Sequence, residues 1–169
     1  WYLRNIHLCD MNEAKFDVTD GADDKQIYAI YIDDDNTTIH VIQGKFIGAS
    51  TVDVEPLREV LSSWEQLHNI SRLQETCNQG LNRKLSELAH ALEDDYEVVF
   101  ELITTGALSS SATEDLAAFQ ERMGSSDEFG ASLHLVDEEE LKRRYGFALD
   151  KENPSLTHSV KLEPGRYVQ

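Results

Sequence analysis

The sequence predicts an α/β fold, a layered mixed sheet flanked by helices, on three observations. Two apolar and β-branched runs joined by an acidic turn read as an antiparallel hairpin. A long Leu-rich segment with helical periodicity follows, and then single apolar runs alternate with capped amphipathic segments. The 169 residues suit one domain around one core.

Taken in order, Trp1, Leu3, Ile6 and Leu8 give the pattern of an opening helix with no cap before it. Asp10 to Gln26 is polar and reads as a carboxylate-rich loop. The hairpin follows, with strands at Ile27–Ile32 and Thr37–Ile42 around the turn Asp33-Asp34-Asp35-Asn36. From Glu55 to Glu93, apolar residues recur three or four apart, from Leu57 through Trp64 to Leu92, as on an amphipathic helix, with Gly80 a point for a bend. Tyr96 to Thr104 reads as a buried strand. Ser111 with Glu114 has capping-box spacing for a helix reaching Met123. Ala131–Val136 is the next strand, Asp137 with Glu140 caps a helix ending near Tyr145, and His158–Leu162 is a candidate last strand.

Charge narrows the function classes. Fifteen Lys and Arg against 32 Asp and Glu give a net charge of −17, which excludes a nucleic-acid-coating protein, because backbone affinity comes from clustered cations. Lys142-Arg143-Arg144 is the one compact basic cluster and reads as a solvated last helical turn. No apolar run approaches the ~18–20 residues that cross a bilayer, and no signal peptide opens the chain, so no membrane partner and a cytoplasmic location are expected. Cys9 and Cys77 fall in segments read as helices and suggest neither a disulfide framework nor a thiolate zinc site. The six histidines contain no His-x-x-x-His pair, which gives no support to zinc hydrolysis. The apolar start and the end of the chain at Tyr167 and Val168, outside any element, lead us to expect a fragment of a larger protein.

Thr19 to Phe46 concentrates the chemistry. Strand alternation puts Gln43 and Lys45 on one face, and an antiparallel return sets Tyr28 and Ile27 across from Gln43. The loop bearing Asp20, Asp23 and Asp24 then lies at the same end of the sheet as Lys45. The plainer alternatives are that Gln43 and Lys45 end an edge strand, with Lys45 guarding the edge, and that the aspartates bond local backbone N–H groups.

The carboxylate segment, the hairpin and the closing Gln43-Gly44-Lys45 resemble the restriction-endonuclease-like PD-(D/E)xK nucleases. More closely, residues 19–32 together with 39–46 resemble the N-terminal region of AIPR-type abortive-infection phage resistance proteins. The resemblance continues through the Leu-rich segment, Glu101–Gly106 and Leu141–Tyr145. It implies a single nuclease-like domain over residues 1–169 with a restriction-endonuclease-like sheet, acting in phage defence.

In that family a strand carboxylate and the first position of the motif bind Mg²⁺, which Mn²⁺ can replace, and the Lys positions or activates the attacking water. Carried onto this chain, Gln43 and Lys45 match the motif. Tyr28 stands where the family has its Asp, so Asp24, or Asp20 or Asp23, is the substitute metal ligand that the resemblance implies. It implies nucleic acid reached through the parent protein, that protein's other domains and a homo-oligomer as partners. The alternative that Tyr28 raises is an inactive nuclease-like scaffold whose acidic surface serves protein interaction or regulation.

Overall fold

The computed structural model describes residues 1–45 and 51–152. Two short helices, α1 (Tyr2–Asn5) and α2 (Met11–Asp17), precede the hairpin of β1 (Ala29–Asp33) and β2 (Thr38–Lys45). After β3 (Thr51–Val52) come α3 (Glu55–Leu67), α4 (Ile70–Gln74) and α5 (Gln79–Glu93), then β4 (Glu97–Thr104) and β5 (Ala107–Leu108). The chain continues through α6 (Ser110–Gly124), β6 (Ser132–Val136) and α7 (Glu138–Glu152).

The main sheet is mixed, in the order β1-β2-β4-β6. β1 runs antiparallel to β2 with Ala29 opposite Ile42, whereas β2 and β4 are parallel with Gln43 beside Leu102, and β6 is parallel to β4. A second, two-stranded parallel sheet pairs β3 with β5. Side-chain alternation gives the main sheet two different faces. Ile30, Ile39, Val41, Val98, Phe100, Leu102 and Leu133 point into the main core and meet Leu57, Trp64, Leu81, Leu85 and Leu88 from α3 and α5, with Ala112 and Met123 from α6. On the other face Ala29 and Ile42 form a smaller cluster with Leu3, Cys9 and Ala14 from the N-terminal segment.

Several expectations are corrected. The Leu-rich segment is three helices rather than one, because Asn69 and Asn78 each turn a side-chain oxygen onto a backbone N–H and start a new helix. Gly80 lies inside the first turn of α5, not at the break. Asp10 to Gln26 is not wholly loop: Asp10 and Glu13 form a capping box that opens α2. The cap of α6 is Ser109, whose Oγ accepts from the Ala112 N–H, not Ser111. Cys9 and Cys77 lie between helices and are free thiols. α7 runs on to Glu152, so Lys142–Arg144 sit mid-helix, where Glu138 and Glu140 pair with them. The proposed strand His158–Leu162 lies outside the described residues. Among the described residues no helix is long and apolar enough to cross a membrane.

Candidate functional site

Gln43 and Lys45 do not end an edge strand, because β2 is central in the sheet. Both project from the main-core face at the carboxyl ends of the parallel pair β2 and β4, the end at which open α/β sheets bind ligands. Gln43 is buried, and its Nε2 donates to Glu59 Oε2 of α3 at 2.9 Å. Lys45 Nζ meets the same oxygen at 2.5 Å. Tyr28 follows the register to the position opposite Gln43. Its N–H donates to Ile42 O at 3.0 Å, and its ring centroid lies 5.9 Å from Lys45 Nζ. Burial alone would lower the Lys45 ammonium, but the hydrogen bond and charge of Glu59 outweigh it and hold the ammonium above its ordinary value. A lysine held charged in this way donates hydrogen bonds and does not serve as a general base.

Glu59 is the carboxylate that sequence reading missed. It sits on α3, and no spacing in the sequence marks it as facing the sheet end. The loop aspartates are engaged locally. Asp24 Oδ1 accepts from the Gln26 N–H at 2.8 Å and Oδ2 from the Gly21 N–H at 3.4 Å, Asp23 Oδ1 accepts from Lys25 Nζ at 3.3 Å, and Asp20 is exposed. Ser63, one turn beyond Glu59, lies 3.1 Å from Lys25 O and seats this loop against α3. Asp23, Lys25 and Gln26 adopt left-handed backbone angles there, which cost energy in non-glycine residues and show that the surrounding contacts impose the loop's path.

The opposite face of the sheet carries a second polar cluster. Glu101 of β4 is 1% exposed. Its Oε2 lies 3.1 Å from His7 Nε2 and 3.6 Å from His40 Nδ1, and its Oε1 bonds Arg144 of α7. Arg144 also donates to the Tyr2 hydroxyl at 2.8 Å and pairs with Glu140 at 2.8 Å. Burial alone would raise the Glu101 carboxyl, yet the imidazoles of His40 and His7 outweigh it and hold the carboxyl well below the usual carboxylate range. At 3.6 Å the His40 contribution is electrostatic and not a formed hydrogen bond.

A groove between α2, α5 and β1, lined by Phe16, Asp17, Tyr31, Lys84, Glu87 and Tyr96, lies apart from the Gln43 site. Within it Lys84 is almost fully buried and satisfied by Asp17 at 2.8 Å and Glu87 at 2.5 Å. No family model, curated protein or solved structure matches the chain at a significant level.

Proposed function

We propose that the chain is a nuclease-like domain of the restriction-endonuclease type, of the kind found in AIPR-type abortive-infection phage resistance proteins, with its phosphodiester site at Gln43, Lys45 and Glu59. The observation that carries this reading is the meeting of those three side chains, beside Tyr28, at the carboxyl ends of β2 and β4. The family pattern calls for a carboxylate, an amide or carboxylate oxygen and a lysine. Here the carboxylate comes from helix α3, while Tyr28 occupies the strand position.

The donor set suits Mg²⁺, a hard cation that takes oxygen ligands and commonly uses one or two carboxylates while retaining waters. Glu59 and the amide oxygen of Gln43 would hold it, and Asp24, Asp23 or Asp20 would have to release their local contacts to join them. When bound, the metal supplies charge stabilisation at a phosphoryl oxygen. Lys45, kept charged, would orient the attacking water by donating to it or stabilise charge on the phosphate. With the chain at −17, a duplex would have to be delivered by basic surface in another part of a parent protein.

A second reading, an inactive scaffold used for protein interaction, is favoured by one contact: Lys45 and Glu59 neutralise each other at 2.5 Å, and the neighbouring strand position offers a phenol. Calorimetric Mn²⁺ titration of the wild type, Glu59→Gln and Tyr28→Asp, with cleavage of labelled single-stranded DNA, duplex DNA and RNA, separates the two. The nuclease reading expects metal binding that Glu59→Gln abolishes and that Tyr28→Asp strengthens by about tenfold, ~1.4 kcal/mol, through one more hard oxygen ligand. Absence of metal binding in all three folded proteins would eliminate it and leave the scaffold.

A further inference from the structure

We infer that His7, His40 and Glu101 form a zinc-class metal centre on the face of the sheet opposite Gln43 and Lys45. One ligand atom from each of the three residues lies within 4.8 Å of the other two. Zn²⁺ bonds to imidazole nitrogen and carboxylate oxygen are about 2.0–2.2 Å long, so tetrahedral geometry sets ligand atoms roughly 3.3–3.5 Å apart. The observed separations of Glu101 Oε2 from His7 Nε2, 3.1 Å, and from His40 Nδ1, 3.6 Å, bracket that range. Two imidazoles and one carboxylate select a zinc-class ion over Mg²⁺, which takes oxygen ligands.

His7 Nε2 is within hydrogen-bond distance of Glu101 Oε2, so the nitrogen that calls for a further partner is that of His40. His40 Nδ1 is buried and has no hydrogen-bond partner, an arrangement that costs free energy unless something else satisfies the nitrogen. It is directed toward the carboxylate oxygen that His7 also faces. The other oxygen of Glu101 is fixed by Arg144, and Arg144 is fixed by Tyr2 and Glu140, so the ligating carboxylate is oriented by an outer shell, as in established metal sites.

The three ligands come from the turn after α1, from β2 and from β4, and all are nearly closed to solvent. With three protein ligands the fourth position would fall to water, and a bound ion would pin the N-terminal segment to the middle of the sheet. Residues 33 and 61 positions apart supply the centre, which is why no short sequence motif announces it.

The test is Zn²⁺ addition to the chelator-treated chain, read by bound-metal stoichiometry, thermal midpoint and, with Co²⁺ in place of Zn²⁺, the ligand-field spectrum. In Glu59→Gln, where the Gln43 site is disabled, we expect one equivalent of Zn²⁺ bound, a raised midpoint, and no such response to Mg²⁺. His7→Ala and His40→Ala should each weaken Zn²⁺ binding by more than the roughly 10–100-fold that loss of an outer-shell partner costs. Glu59→Gln should leave it unchanged, which keeps this centre distinguishable from the Gln43 site. No stoichiometric uptake by the wild type, or uptake unaltered in both folded histidine variants, overturns the assignment. If the variants do not fold, X-ray absorption of the Zn²⁺-loaded wild type decides: scattering from two imidazoles supports the centre, and its absence overturns it.

Discussion

Glu140 receives guanidinium groups from two successive arginines, with Arg143 Nε at 2.7 Å and Arg144 Nε at 2.8 Å. The hydrogen bonds of Arg143 and then Arg144 pull its carboxyl down to about 2, against a reference of about 4.3. A carboxyl depressed on folding adds stability above its unfolded value and loses it as pH falls toward the folded value. Glu140→Gln should therefore be less stable than the wild type near neutral pH, by under about 1 kcal/mol because the group is partly solvated, and the gap should close between about pH 4.5 and pH 2. Urea midpoints of both proteins across that window check it; a gap that persists below pH 2 would assign the effect to packing. At this same scale Gln43 and Lys45 were legible from strand alternation, whereas Glu59 was not. Its role depends on how α3 crosses the sheet end, and that is a tertiary fact no spacing encodes.

Side-chain caps mark where α2, α4, α5, α6 and α7 begin, whereas α1 and α3 have none. Asn78 is the strongest case: its Oδ1 accepts from the Leu81 N–H at 2.8 Å, and its Nδ2 donates to Thr19 O at 2.8 Å, joining α5 to the loop before the hairpin. Asn78→Ala removes a cap and leaves a buried carbonyl short of a donor, for an expected loss of about 1–3 kcal/mol. Asn78→Ser restores the cap alone and should fall between the two in chemical denaturation; a serine variant no better than alanine would show that the Thr19 link carries the effect. Strands, hairpin and helical periodicity could be read from the chain because alternation and 3.6-residue spacing are local. The breaks at Asn69 and Asn78 and the helix opened by Asp10 and Glu13 were also written locally, in Asn and Asp caps that a continuous hydrophobic pattern obscured. The pairing of His7 and His40 with Glu101 had no local trace at all.

At the scale of the molecule, one face of the sheet is a hydrocarbon core and the other mixes a small apolar cluster with buried ions. Leu88 has no exposed surface and lies in the larger core, so Leu88→Ala should cost about 2–5 kcal/mol through lost transfer energy and the cavity left behind. An unchanged denaturant midpoint would show that α5 does not seal that face.

The parallel pairing of β2 with β4 also has a consequence in time. β1 and β2 are joined by a tight turn and can zip within microseconds, because little chain entropy stands between them. Thr38 meets Glu97 only after the whole crossover through α3, α4 and α5 has been drawn in, so that contact must wait for a long loop to close. On loop-closure entropy, the hairpin is expected to form before β4 joins it. Until β4 arrives, the inner edge of β2 stands open, and Gln43 and Lys45 belong to a strand that does not yet have its second neighbour.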